Sequence, residues 1–158
     1  GFRIAAEQGW LALGAHVFRL SGIYGPGRNQ LVQLASGSAR RIVKPGQIFN
    51  RIHVADIAAA IEASLARPRP GGIYNVTDNE PAPPQDVVAF AARLCGLAPP
   101  AEIPFEAAEL SPMARSFYSE NRRVRNALLR EELGVTLTYP TYREGLTALR
   151  ALGDGPAV

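Results

Sequence analysis

The sequence predicts an α/β fold in which helices cover both faces of a largely parallel sheet. Short apolar segments typical of buried strands alternate along the chain with segments whose apolar residues recur at helical spacing. This alternation is typical of parallel sheets, because the crossover between two parallel strands is usually a helix. The length of 158 residues and the hydrophobic content of 47% fit one domain with a sizeable core.

The first third of the chain is predicted to contain two helices and three strands. The helices cover residues 3–13 and 30–35, and the strands cover 15–20, 40–43 and 48–54. Asn29 is suited to cap the second helix. The glycines and the proline of the stretch GIYGPG, which follows the first strand, predict a loop at 21–28.

The rest of the chain is predicted to contain one strand and mostly helices. The strand covers 72–77, the helices cover 54–67, 84–94, 122–133 and 142–152, and a short helix covers 106–110. Pro84 suits the first turn of its helix, and Gly96 ends that helix. Thr141 and Glu144 have the spacing of a capping box. The Pro-rich residues 97–118 are otherwise predicted to be irregular.

The helix over 54–67 has apolar residues at a helical period, which predicts one buried face. The residues of that face are Val54, Ile57, Ala58, Ile61 and Leu65. Asp56 lies in the first turn, where the helix dipole favours a negative charge by roughly 0.3–1 kcal/mol.

The charge pattern favours neither a nucleic-acid partner nor a membrane partner. The net charge is +3, the basic residues are arginines except for Lys44, and no apolar run is long enough to cross a bilayer. The densest basic cluster, at 122–125, is followed by glutamates and has no aromatic residue between its arginines, so we interpret it as a solvated helix face. The single cysteine, Cys95, cannot form an intrachain disulfide, which fits a cytoplasmic protein.

The loop at 21–28 and the turn at 78–84 each follow a predicted strand. Ligands of open α/β sheets bind at the carboxyl ends of the strands, so we expect these two segments to share a ligand-facing rim. Gly22, Gly25 and Gly27 either let a ligand approach the backbone closely or only satisfy the geometry of a tight turn.

Other kinds of site find little support in the sequence. The two histidines, His16 and His53, lie in apolar strand contexts without a set of metal ligands, so no metal site is expected. The stretch around Ser21 lacks the motif of an esterase nucleophile. Asp78 and Glu80 form an acidic pair after a strand, but one such turn does not make a general acid/base site.

Four stretches resemble one protein family. RLSGIYGPGR, RIHVADIAAAI, GIYNVTDNEPAPPQDVVAF and NRRVRNALLREELG resemble, in this order, the second half of an extended short-chain dehydrogenase/reductase of the NAD-dependent epimerase/dehydratase type. The resemblance covers about residues 3–149. It implies the C-terminal half of a Rossmann-like doubly wound parallel sheet with a small helical substrate-binding portion, and NAD or NADP as the cofactor of the intact protein. The phosphate-binding glycine motif of the family is absent, so we expect residues 1–158 to be a single-domain fragment without the dinucleotide-binding half.

The resemblance also implies roles for individual residues. The backbone of Leu20, Ser21, Gly22 and Ile23 would contact the nicotinamide. Arg3 falls where the family has the lysine of its catalytic Tyr-x-x-x-Lys pair, and the tyrosine would lie two residues before Gly1.

Tyr24, Arg28 and Arg51 are the candidate substrate contacts. The family has a substrate-contacting asparagine at Gly22 and a phosphate-binding arginine at Phe49. Arg51 is two residues after Phe49 and on the same side of the strand.

Three functional hypotheses follow from the sequence. The first is an NAD(P)-dependent oxidoreductase or epimerase that transfers a hydride to or from a carbinol carbon of a small, anionic substrate such as a nucleotide sugar. The second is a non-catalytic NAD(P)-binding regulatory protein of the same fold, which the replacement of lysine by Arg3 favours. The third is an interaction module. The family's dimers also suggest a homodimer, and Trp10 and Leu11 either lie at its interface or pack in the core.

Overall fold

The computed structural model describes residues 2–157 and has the predicted α/β architecture. The helices are α1 (Phe2–Ala12), α2 (Gln30–Ala35), α3 (Val54–Ala66), α4 (Pro84–Leu94), α5 (Pro112–Phe117), α6 (Ala127–Glu131) and α7 (Tyr142–Ala151), with a 3-10 helix at Phe105–Ala107. The strands are β1 (Val17–Leu20), β2 (Gly22–Tyr24), β3 (Arg41–Val43), β4 (Arg51–His53), β5 (Ile73–Val76) and β6 (Glu102–Pro104). None of the described helices is both long and apolar enough to cross a membrane.

The strands form three pairs, and every pair is parallel. β1 pairs with β5, β2 with β4, and β3 with β6. The chain passes from the first pair to the second at residues 21 and 22, where the N–H of Ser21 donates to the Val76 carbonyl and the N–H of Gly22 donates to the Asn50 carbonyl. The prediction of a parallel sheet with helical crossovers is therefore confirmed. The first two pairs adjoin along the chain, because β2 begins two residues after β1 ends.

Two main hydrophobic clusters hold helices against these strands. Around β5, the side chains of Tyr74 and Val76 pack with Ile52 and with Leu129 of α6. Around β2, a second cluster joins α2, α4 and α7, and its fully buried members include Leu31. A third, smaller cluster packs against the β3–β6 pair, and its buried members are Ile42, Ala108 and Tyr118.

The local end signals of three helices were predicted correctly. The Asn29 side chain accepts hydrogen bonds from the N–H groups of residues 31 and 32 and so caps α2. α4 begins with Pro84, and Gly96 follows it with a φ of +69°. Thr141 and Glu144 form the capping box of α7.

α3 buries one face, as predicted, but mostly with other residues. Of the five predicted residues only Ile57 packs against the core. Val54, Ile61 and Leu65 are exposed, with Leu65 at 78%, whereas Asp56 and Ala60 are completely buried. The cause lies far along the chain, because the Asp56 carboxylate accepts hydrogen bonds from the N–H groups of Thr138, at 2.7 Å, and Tyr139, at 3.2 Å. These two bonds turn the side of α3 that carries Asp56 towards the interior.

Three other predicted segments need correction. Gly22–Tyr24 is a strand rather than part of a loop, because it pairs with β4. The predicted helix over 122–133 contracts to Ala127–Glu131, and the predicted irregular region contains β6 and α5 but no α-helix at 106–110. β6 pairs with β3, which lies about sixty residues earlier, so a local sequence pattern cannot predict β6.

Candidate functional site

The carboxyl ends of β1 and β5 lie side by side, as predicted. Leu20 is opposite Val76 in the parallel register, and the two strands end there. Ser21 follows β1, and Asp78 and Asn79 follow β5. The edge formed by these residues is the position at which open α/β sheets bind ligands.

An open groove of about 630 Å³ lies on this edge. It is lined by Arg19, Leu20, Ser21, Asn75 and residues 122–125. A second groove of about 530 Å³ shares residues 123–125 with the first and extends to Asp78, Asn79 and Arg130. We call the two together the rim groove. Its position at the ends of two parallel strands makes it the candidate functional site.

The irregular segment 122–126 forms one wall of the rim groove, and asparagine side chains hold it in place. The Asn50 amide donates to the Arg122 carbonyl at 2.7 Å, and its oxygen accepts from the Val124 N–H at 2.9 Å. The Asn75 amide donates to the Arg125 carbonyl at 3.3 Å. These bonds replace the backbone bonds that a helix would have made.

Of the predicted nicotinamide contacts, Leu20 and Ser21 line the rim groove, whereas Gly22 and Ile23 lie in β2 and line neither part of it. The side chains of Leu20 and Ile23 are 45% and 39% exposed, and Gly22 is also exposed. The N–H groups of Ser21 and Gly22 are already used in hydrogen bonds between strands. Contacts with a ligand here would therefore come from the exposed apolar side chains and from the remaining backbone atoms.

The glycines after β2 have structural roles within the chain. A Cβ atom on Gly25 would lie 2.6 Å from Cγ1 of Val54, and Gly27 has a φ of +71°. The N–H of Gly27 and the side-chain amide of Asn29 both donate to Oδ2 of Asp154, at 3.1 and 2.6 Å. Of the two explanations that the sequence left open, local geometry accounts for Gly25 and Gly27.

Two of the candidate substrate contacts lie in the interior. Tyr24 is 5% exposed and its hydroxyl donates to the Thr141 carbonyl at 3.5 Å, while burial raises the pKa of this tyrosine. Arg51 is 7% exposed and donates to the carbonyls of Phe49, at 3.0 Å, and Ala82, at 3.2 Å. Burial lowers the pKa of this arginine. Both are interior residues in the described structure, and their contact with a substrate stays a prediction.

The other two candidate residues, Arg3 and Arg28, are exposed, Arg3 on α1 and Arg28 in the turn after β2. Neither lines the rim groove. The structure brings Leu20 and Ser21 together with the arginines at 122–125, but it does not bring Arg3 or Arg28 to the same place. Arg123 and Arg125 were missed because their sequence context resembles a charged helix.

A buried acid lies beside the groove. Asp78 is 1% exposed, its Oδ1 accepts a hydrogen bond from the Glu80 N–H at 3.1 Å, and its Oδ2 has no partner among the described residues. Burial raises the pKa of Asp78 to about 7, although the nearby charge of Arg51 opposes the shift. The acidic pair was noted in the sequence, but its burial could not be predicted from it.

No family model matches the chain, but individual proteins do. A conserved protein of unknown function from Silicibacter pomeroyi is 59% identical, with a TM-score of 0.88 over 96% of this chain and 54% of its own. A protein from Methylobacillus flagellatus described as an NAD-dependent epimerase/dehydratase is 32% identical, with a TM-score of 0.67 over 94% of this chain and 51% of its own. The chain resembles the C-terminal part of an NAD-dependent epimerase/dehydratase. A 3-diazoavenalumate denitrifying reductase from a Streptomyces species is 29% identical in an alignment of 143 positions that covers 82% of this chain and 45% of the reductase.

This chain thus spans about half the length of the proteins it matches. Two more distant structures share the fold of this chain and are complexed with nicotinamide cofactors. One, from Pseudomonas aeruginosa, is complexed with NADPH and is 18% identical with a TM-score of 0.67. The other, a dTDP-glucose 4,6-dehydratase from Bacillus anthracis, is complexed with NAD and is 21% identical with a TM-score of 0.68. At these identities the likeness shows a Rossmann-type fold.

Proposed function

We propose that this chain supplies the nicotinamide-side strand end and part of the substrate pocket of an NAD(P)-dependent oxidoreductase or epimerase. The main support is the 32% identity to an NAD-dependent epimerase/dehydratase over nearly the whole chain. β1 also ends at the rim groove with apolar side chains exposed. The reaction we propose is hydride transfer to or from a carbinol carbon of an anionic substrate.

The exposed side chain of Leu20, which lines the rim groove, suits one face of a nicotinamide ring. It presents an apolar surface that would exclude water from the ring, which when bound accepts or donates the hydride. The dinucleotide's phosphates need a glycine-rich turn at a helix N-terminus, and the sequence contains no such motif. We therefore propose that the 158 residues alone bind NAD or NADP weakly and that the intact protein is longer.

A second candidate is a non-catalytic NAD(P)-binding protein of the same fold. Arg3 supports it, because a planar guanidinium does not replace the point charge of a lysine beside a catalytic tyrosine. A tyrosine two residues before Gly1 in the native protein, together with turnover, would favour the enzyme. Cofactor binding without turnover would favour the regulatory protein.

The experiment is to compare Leu20→Arg with Leu97→Arg in the intact protein. The two side chains are about equally exposed, at 45% and 43%, but Leu20 lines the rim groove and Leu97 does not. Titration with NADH and NADPH, followed by the fluorescence of the reduced nicotinamide, gives the affinities. We expect Leu20→Arg to weaken binding about tenfold or more, which is about 1.4 kcal/mol, and Leu97→Arg to leave it unchanged. Equal affinities for the two variants would contradict the assignment of Leu20 to the nicotinamide site.

A further inference from the structure

We propose that Arg123 and Arg125, with Arg130 beside them, bind a phosphate group of the substrate in the rim groove. The identification of that ligand as the substrate rests on the proposed function, whereas the anion site rests on the groove itself. Neither Arg123 nor Arg125 was a candidate substrate contact in the sequence. Arg51, which was a candidate substrate contact, is buried and donates hydrogen bonds to backbone carbonyls.

Three arginines of the groove, Arg123, Arg125 and Arg130, are free to bind a ligand, whereas most arginines of the described residues are not. Ion pairs occupy several others: Arg19 with Glu7, Arg41 with Glu102, Arg69 with Glu132, Arg122 with Glu120 and Arg143 with Glu80. Further arginines donate to backbone carbonyls, namely Arg40, Arg51, Arg67, Arg115 and Arg150. Within residues 2–157 the side chains of Arg123, Arg125 and Arg130 make no hydrogen bond or ion pair, and all three line the same groove.

The backbone presents two of these arginines together. Arg123 and Arg125 are two residues apart in a non-helical segment and are exposed, whereas Val124 between them is half-buried. The bonds from Asn50 and Asn75 fix the carbonyls and the N–H of this segment. A site held in this way loses less conformational entropy when its ligand binds than a mobile loop would lose.

The local charge favours an anion. The two other arginines of the groove, Arg19 and Arg122, are neutralised by their glutamates. The acids that line the groove are Glu131 and Asp78, and the pKa of Asp78 is raised to about 7, so this carboxyl group is only partly charged at neutral pH. The three free guanidinium groups leave a net positive charge, and their planar donors match phosphate oxygens in pairs.

The test is a titration of the chain with inorganic pyrophosphate, followed by backbone amide NMR shifts at constant ionic strength. Arg123→Gln is compared with Arg93→Gln, which removes the same charge from an exposed arginine in the last turn of α4. We expect saturable shifts at residues 122–130, and an affinity about five- to tenfold weaker for Arg123→Gln with no change for Arg93→Gln. Equal weakening in both variants, or shifts that do not saturate, would overturn the proposal. Folding is not at issue, because neither side chain makes a hydrogen bond or ion pair within the described residues.

Two further measurements separate this proposal from the proposed function. If NADPH competes with pyrophosphate in the protein isolated from its source, the groove holds the phosphates of the cofactor, and the assignment to the substrate is overturned. Simultaneous binding of both supports it. If pyrophosphate binds in this way but neither NADH nor NADPH does, the anion site stands and the proposed oxidoreductase function fails.

Discussion

Asp78→Asn is expected to stabilise the chain at pH 8 and to have little effect near pH 4. Burial raises the pKa of Asp78 from its ordinary 3.8 to about 7, so the folded chain holds this proton more tightly than the unfolded chain. A folded-state pKa above the unfolded one means that stability is lost as the pH rises from about 4 to about 7. Asparagine has no charge to bury and keeps an oxygen for the Glu80 N–H.

The size of the effect follows from the two pKa values. They differ by about 3, and each unit corresponds to about 1.4 kcal/mol, so burying the ionised carboxylate costs about 4 kcal/mol above pH 7. Asp78 is 1% exposed, so solvent does little to screen this cost.

The assay is urea unfolding followed by circular dichroism between pH 4.5 and pH 8. The difference in unfolding free energy between Asp78→Asn and the parent chain should grow from about 1 kcal/mol at pH 4.5 to about 4 kcal/mol at pH 8. Glu62→Gln, which removes an exposed carboxylate from α3, is the control and should show no such growth. A constant difference across the pH range, or a variant less stable than the parent at pH 8, would refute the reasoning.

Two further predictions concern α7. Gly145→Ala should cost about 1–2 kcal/mol of unfolding free energy, because the new Cβ would lie 2.1 Å from the buried Tyr24 hydroxyl and this overpacking exceeds the helix propensity that alanine gains. Gly9→Ala, at a position with open space around it, should instead be neutral or stabilising, and a loss at Gly9 as large as that at Gly145 would count against the packing argument. Thr141→Ala should lower the thermal midpoint, because it removes the N-cap, worth about 1 kcal/mol, whereas Thr147→Ala on the exposed side of the same helix should not. Equal midpoints for the two threonine variants would show that the cap contributes little.

The sequence was sufficient where the signal and the structure are neighbours. The Asn29 cap of α2 and the capping box of α7 act within three residues, so the ends of both helices could be predicted. The buried face of α3 depends on bonds from Asp56 to Thr138 and Tyr139, more than eighty residues away. A pattern of apolar residues within one helix cannot contain that information.

The candidate site likewise combines a feature that local patterns predict with features that distant contacts determine. The position of the rim follows from the alternation of strands and helices, so it could be predicted before any side chain was placed. Which arginines line it could not be predicted, because Asn50 and Asn75 divert the segment 122–126 from the helix that its composition favours. The burial of Arg51 could not be predicted for a related reason, since the carbonyl of Ala82, thirty-one residues away, accepts its hydrogen bond in the interior.

The hydrogen bonds that Gly27 and Asn29 donate to Asp154 tie the turn after β2 to the end of the described chain. They join residues separated by 127 and 125 positions, and α7 packs against α2 nearby. Closing a loop of this length costs conformational entropy that local contacts do not. The shape of the turn after β2 therefore depends on residues that follow α7, far from it along the chain.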